Sequence, residues 1–213
     1  LLQDDTAIAS FVNRLQFTLL YVPSIMVVSL AMAMLMNQAF YLRKLTRSLI
    51  LMPYVSNVVA IAIVWSVLLN PYDGVVNTLL LSLGLQDLPM WLGDIHMALP
   101  ISALIFVWMN LAFQTIVYLA ALQEVPQELY EAAQIDGATT WQKFSRITLP
   151  SISPTTFFLM VSTIIGSTQN FAIIKNLTNG GPGNSSEVVA MNIYNSAFQF
   201  NTYSLASAES VLL

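Results

Sequence analysis

The sequence predicts an all-α, polytopic transmembrane helical bundle, and three observations carry that prediction. Of the 213 residues 56% are apolar and only 8% are charged, with a mean hydropathy of +0.69. Soluble domains carry about 25% charged residues, so a chain this poor in charge needs an apolar solvent around it. The apolar residues gather in uncharged runs long enough to cross a hydrocarbon core of about 30 Å, which takes roughly 20 helical residues. The few Lys and Arg residues then fall in alternate connections between those runs, the pattern that places basic loops on the cytoplasmic side.

Taken in order, the first uncharged run is Phe17 to Met36. The connection after it carries Arg43, Lys44 and Arg47 with no acid, which predicts an inside loop. Leu49 to Leu69 is the second run, and the connection at 70–96 holds Asp73, Asp87 and Asp94 but no base, so it is expected outside. Met97 to Leu122 forms the third run, and the 123–153 connection returns Lys143 and Arg146 to the inside. Thr155 to Ile174 is the fourth, followed by an outer segment at 175–203 whose Gly180-Gly181-Pro182-Gly183 cluster no helix can run through. A fifth run starts near Tyr203, carries Glu209, and reaches Leu213 with too few residues to cross. The 213 residues are therefore read as one transmembrane domain, truncated at both ends, with a cytoplasmic loop at 123–153. Pro23, Pro53, Pro100 and Gly166 punctuate the four runs. They are either tolerated kinks or openings for a polar substrate.

Composition excludes several chemistries. There is no cysteine, and His96 is the single histidine, so thiol nucleophiles, disulfides and His- or Cys-based metal sites have no residues to work with. Seven bases against eleven acids leave no positive excess for nucleic acid. No Gly-x-x-x-x-Gly-Lys-Ser/Thr phosphate loop is present. The chain is expected to be neither an enzyme nor the holder of a metal or cofactor.

The 123–153 connection has internal structure of its own. Pro126 suits a first helical position, Glu128 complements the positive start of a helix, and Gly137 is placed for the left-handed residue that ends one, predicting a short helix from about 126 to 136. Thr139 with Gln142 three residues later is a capping-box pattern, and Trp141, Phe144 and Ile147 recur on one face of a second short helix that Pro150 is expected to stop. Lys143 and Arg146 sit toward its C-terminal end, where cations are favourable. Two short helices joined at a glycine, with small Ala132 and Ala133 beside acidic Glu131, make a knob suited to a groove on a partner. An interfacial helix pair is the alternative, but such helices favour basic polar faces and the first helix here is acidic.

These residues resemble a family. The stretches Glu131-Ala132-Ala133, Gly137 four residues on, and Ile147-Thr148-Leu149-Pro150, counted without Thr148, resemble at all seven fixed positions the EAA loop found in permease subunits of binding-protein-dependent ABC importers. The form Glu-Ala-Ala-x-Ile-Asp-Gly-Ala followed by an aromatic helix resembles the carbohydrate importers, and Leu177-Thr178-Asn179-Gly180-Gly181-Pro182 is similar to the outer-loop signature of the maltose- and glycerol-phosphate-permease type. The resemblance implies a channel half in a prokaryotic inner membrane, partnered by a second homologous permease, an ATP-binding cassette ATPase dimer and an extracytoplasmic solute-binding protein. It implies ATP and Mg²⁺ on the ATPase, with Glu131, Ala132, Ala133, Asp136 and Gly137 coupling to it, and binding-protein contact through the loops at 70–96 and 175–203.

For the cargo, polar side chains inside the apolar runs are the candidates. Asn110, Gln114 and Tyr118 recur every four residues in the third run, with Trp108 and Phe113 nearby. In the fourth, Ser162, Gly166, Gln169 and Asn170 share a face with Thr163 and Ser167 close beside it. Uncharged amides and aromatic rings suit a neutral sugar or oligosaccharide, because amides bond hydroxyls without burying a charge and rings cover the apolar side of a pyranose. The same groups also serve as ordinary interhelical contacts. The substrate-binding set is read as Asn110, Gln114, Tyr118, Ser167, Gln169 and Asn170. Glycerol phosphate or another polar solute is the alternative cargo. An ion-coupled secondary transporter would instead want charges buried at mid-membrane, and the four runs have none.

Overall fold

A computed structural model describes residues 5–38, 43–168 and 171–213, and every regular element among those residues is helical. The first helix, α1 (Asp5–Asn37), passes through Pro23 and starts well ahead of the uncharged run, so it also carries Arg14. At 1.5 Å per residue it is about 50 Å long, more than a hydrocarbon core requires. Only 33% of its most apolar window is buried within the chain, and Leu15, Leu19, Val27 and Leu35 are each at least 60% exposed. Such a surface is stable only against lipid or another apolar subunit.

The expected second run is not one straight helix. It divides into α2 (Arg43–Val55) and α3 (Val58–Leu68), bent by 105°. The break is chemical: Asn57 is extended (φ −66°, ψ 127°), and its Oδ1 accepts from the N–H groups of Val59 at 2.8 Å and Ala60 at 3.3 Å, starting a new helix inside an apolar stretch. The 70–96 segment is ordered around a short helix, α4 (Val75–Ser82), which turns a buried Asn77 inward. Asn77 Nδ2 donates to the carbonyls of Pro71 and Pro89, and its Oδ1 accepts from Trp91 Nε1 at 2.7 Å. Trp91 is thus tied by its N–H to this hub. A Cβ on Gly74 would lie 2.3 Å from the carbonyl oxygen of Asn70, so the turn into α4 admits only glycine. Asp94 accepts from the His96 N–H at 2.7 Å just ahead of α5 (Ala98–Glu124), whose first turn holds Pro100.

The knob region comprises α6 (Gln127–Ile135), α7 (Thr140–Lys143), a π turn (Phe144–Thr148) and α8 (Leu149–Ser151). Helix α9 (Ser153–Thr168) follows, bent by 65° from the Thr140–Ser151 stretch. Pro150 does not stop the second helix. The π turn has already shifted the ladder, with the Leu149 N–H donating five residues back to Phe144, and the break comes at Ile152 (φ −91°, ψ 2°). The fourth run also divides, because Phe171 belongs to no helix and stands at the N-cap of a separate one, α10 (Ala172–Leu177). Beyond the glycine cluster, the segment expected as an outer loop contains α11 (Val189–Tyr194) running into a second π turn (Asn195–Gln199), and α12 (Tyr203–Leu212) follows. Val189, Met191 and Asn192 are its buried side.

By length and composition, α1 and α5 can each cross a membrane, and each bent pair can form one further span. The chain forms two compact units. One contains Leu1–Tyr21, Ser56–Val107 and Ile164–Leu213, the other Val22–Val55 and Trp108–Thr163. In the first, Tyr21 and Phe106 pack with ring centroids 4.7 Å apart beside Phe17, and α3 packs on α10. Its Gly180–Glu187 turn is closed by Ser186 Oγ, which donates to the Gly181 carbonyl at 2.7 Å and pairs with Thr178 Oγ1. Asn13 of α1 donates to the carbonyls of Asn184 and Glu187. Glu209 of α12 is buried and accepts from Asn192 of α11 at 2.8 Å, which gives this carboxylate an amide partner. In the second unit, Ala33 and Met36 of α1 meet Tyr118, Leu119 and Leu122 of α5 and Leu159 of α9 in a continuous apolar core.

Candidate coupling site

The knob is built by caps. Pro126 (φ −59°, ψ 131°) ends the chain's run out of α5 and opens α6, with Glu128 in the first turn, where a carboxylate complements the helix dipole. The helix closes in a Schellman arrangement: the Ala138 N–H donates to Ala133 at 2.9 Å, the Gly137 N–H to Gln134 at 3.1 Å, and Gly137 itself is left-handed at φ +73°. A capping box then starts α7, with the Gln142 N–H on Thr139 Oγ1 at 3.3 Å and the Thr139 N–H on Gln142 Oε1 at 2.7 Å. Both caps fall where the residue pattern predicts them.

Helices α6 and α7 bury no side chain, so almost everything on the knob is available to a partner. Glu131, Ala132, Asp136 and Gly137 are exposed and Ala133 is half-buried. Ile135 is 88% exposed beside the Asp136 carboxylate, and Trp141 is 70% exposed. Asp136, Gly137, Gln142, Lys143 and Arg146 border an open recess of about 350 Å³. A Cβ added to Gly137 would meet no atom within 4 Å. The glycine is required within this chain by its dihedral angle alone, and the space beside it stays open.

The intramembrane candidates are placed differently from one another. Gln114 is buried, its amide N–H donating to Thr163 Oγ1 and its oxygen facing Ser29 Oγ at 3.4 Å. Tyr118 is buried with its hydroxyl 3.7 Å from the Met26 sulfur. Asn110 is half-buried one turn earlier in α5. The structure thus brings Gln114 and Tyr118 together with partners from α1 and α9 inside the second unit. Ser167, in the first unit, is buried and lies 3.0 Å from Thr18 Oγ1 of α1. Gln169 and Asn170 lie outside the described residues. Trp108 and Phe113 are more than two-fifths exposed, and Phe113 stacks on Tyr54 of α2 at 6.2 Å.

Two contacts were not legible in the sequence. The Tyr130 hydroxyl lies 2.9 Å from Thr148 Oγ1, and Lys143 Nζ donates to Gln134 Oε1 at 3.2 Å, each joining α6 to the helix after Gly137. The available signal was the spacing of Tyr130 and Gln134, one turn apart on a helix with no buried face.

Residues 15–213 match the family described as the inner membrane component of binding-protein-dependent transport systems. The chain is 33% identical over 212 residues to a probable ABC transporter permease protein of Brucella suis biovar 1, covering 97% of this chain and 73% of that protein. It is 34% identical to the lactose transport system permease protein LacF of Rhizobium radiobacter, across 94% of this chain and 69% of the relative. A chain in the crystal structure of a bacterial alginate ABC transporter, in complex with its alginate pentasaccharide-bound periplasmic protein, superposes with a TM-score of 0.90 at 30% identity, covering 100% of this chain and 74% of that one. With the family's pattern running through residues 15–213, and with relatives at 30% identity or more matching nearly the whole chain, the chain belongs to the inner-membrane permeases of binding-protein-dependent ABC importers.

Proposed function

We propose that the chain is one channel-forming half of an ATP-driven importer of a saccharide, a neutral sugar or oligosaccharide, received from an extracytoplasmic solute-binding protein. The single observation that carries this is the knob. Its Schellman-capped Gly137, the exposed Glu131, Ala132 and Asp136 and the half-buried Ala133 around it form a rigid projection whose shape makes sense only against a partner. That partner is a cytoplasmic ATPase dimer, which holds ATP and Mg²⁺, and a second homologous permease completes the channel. The 123–153 loop faces the cytoplasm, and the acid-bearing 70–96 and 175–203 segments face outward, toward the binding protein.

Saccharide cargo is supported by the names of the lactose and alginate relatives and by the amide, hydroxyl and aromatic character of Asn110, Gln114, Tyr118, Ser167, Gln169 and Asn170. Gln114 and Tyr118 are engaged within the chain, so a sugar reaching them exchanges one hydrogen-bond partner for another, a near-neutral trade that suits a transient site. The test is ATP hydrolysis by the co-purified complex in nanodiscs, with binding proteins loaded with a neutral disaccharide, an acidic oligosaccharide or glycerol phosphate. Stimulation by the neutral disaccharide alone is expected. Stimulation by either anionic cargo alone moves the assignment to that class, and substrate uptake without any ATPase overturns the importer reading.

A further inference from the structure

We propose that Tyr130 and Thr148 are positioning residues that clamp the knob, so that α6 and the helix leading into α9 move as one piece when the ATPase drives them. The proposal rests on the coupling reading above and adds residues to it that the EAA pattern leaves unassigned. The problem they solve is visible in the geometry. Neither α6 nor α7 buries a side chain, the link between them turns at a left-handed glycine, and no atom packs within 4 Å of where a Gly137 Cβ would be. No fully buried side chain of α6 or α7 fixes the angle between the two helices, and a push on α6 alone would open or close the hinge rather than reach α9.

Among the described residues two side-chain contacts span the hinge, and they differ in leverage. Gln134, which accepts from Lys143 Nζ, is three residues from Gly137, exposed, and held by a long flexible side chain. Tyr130 is seven residues away, about 10 Å along the helix at 1.5 Å per residue, so its contact resists angular opening far more effectively. Its partner Thr148 is buried and closes the π turn Phe144–Thr148. Thr148 Oγ also lies 3.5 Å from the carbonyl oxygen of Lys143, to which it donates. The Thr148 hydroxyl also pairs with the Tyr130 hydroxyl at 2.9 Å, where either oxygen can donate, so one side chain links α6 to the π turn and the helix backbone. Short π segments are frequent at functional sites, and the extra residue in this one sets the rotational position of Thr148.

The absence of native cysteine makes the test direct. Nitroxide labels are placed on exposed Gln127→Cys and Ser151→Cys in the full chain, co-purified with its partner subunits in nanodiscs, and their separation is measured without nucleotide and with MgATP plus vanadate. The unsubstituted clamp is expected to give one narrow distance in both states. Tyr130→Phe, which leaves Thr148 its backbone acceptor, and Thr148→Val, as an independent second variant, are each expected to add a second distance in the vanadate state, its population raised roughly fivefold for the loss of one hydrogen bond. Thr148→Ser is expected to restore the single distance, which a purely steric role for the threonine methyl would not allow. A single unchanged distance for Tyr130→Phe in both states, or two distances in the unsubstituted knob, overturns the clamp. A separate label at Ile135→Cys reports docking: if the co-purified ATPase leaves it mobile, the coupling reading fails, independently of the distance between the other two labels.

Discussion

At Gly137 the demand for glycine comes from the backbone and not from packing. Its φ of +73° strains any side chain, and a β-branched one most, at about 1–3 kcal/mol, yet no neighbouring atom opposes a Cβ there. Gly137→Val is therefore expected to leave insertion and helix content intact while cutting binding-protein-stimulated ATP hydrolysis at least about tenfold, the equivalent of ~1.4 kcal/mol of lost coupling. Stimulated hydrolysis at the unsubstituted level would argue that the open space beside the glycine receives nothing. Asn77 is the opposite case, a buried amide whose three bonds gather Pro71, Pro89 and Trp91. Asn77→Ala orphans the Trp91 N–H and two carbonyls at a cost of about 3 kcal/mol. Hydrogen exchange across residues 70–96 should accelerate markedly, with exchange in α6 unaltered.

At the scale of the element, caps decide where helices begin and bends follow from them. The Thr139 and Gln142 box and the Gly137 terminus were legible because each is a pattern of identities a few residues apart. Asn57 is equally local chemistry but lies inside an apolar run, where composition predicts a continuous span. Asn57→Leu should relax the 105° bend between α2 and α3 toward one longer helix, at a cost of about 1 kcal/mol for the lost cap. A spin-label distance from Met52 to Val67 that lengthens checks it, and an unchanged distance would show that tertiary packing, not the cap, sets the bend. Pro150 teaches the converse. A residue that ordinarily ends a helix is carried through because the π turn before it has already moved the hydrogen-bond ladder by one position.

For the whole molecule, the two-thirds of the most apolar α1 window left unburied is a statement about surroundings, since Leu15, Leu19, Val27 and Leu35 need lipid or a second subunit beside them. The same reasoning makes the placement of the loops testable. With no native cysteine, Ile135→Cys and Tyr72→Cys, 88% and 80% exposed, can be labelled singly with a membrane-impermeant maleimide in sealed cells and in inverted vesicles. Tyr72→Cys is expected to react only from outside and Ile135→Cys only in inverted vesicles. Reaction of both from one side would overturn the alternation read from the Lys and Arg distribution. Shielding of Ile135→Cys by the bound ATPase would add that the knob is the docked surface.

The amino-acid sequence alone determined the helical membrane class, the charge-poor runs and the doubly capped knob. These depend on composition or on identities within one or two helical turns, where backbone hydrogen bonding and side-chain chemistry act directly. Only the tertiary structure decided that Gln114 meets Thr163 and Ser29, that Tyr130 reaches Thr148, that Asn13 holds the Asn184–Glu187 turn, and that Glu209 is paired with Asn192. Each of those contacts joins separate elements, up to 174 residues apart for Asn13 and Glu187. No local pattern encodes such a meeting, because it is set by which apolar surfaces pack and by the cost of leaving a buried polar group without a partner there.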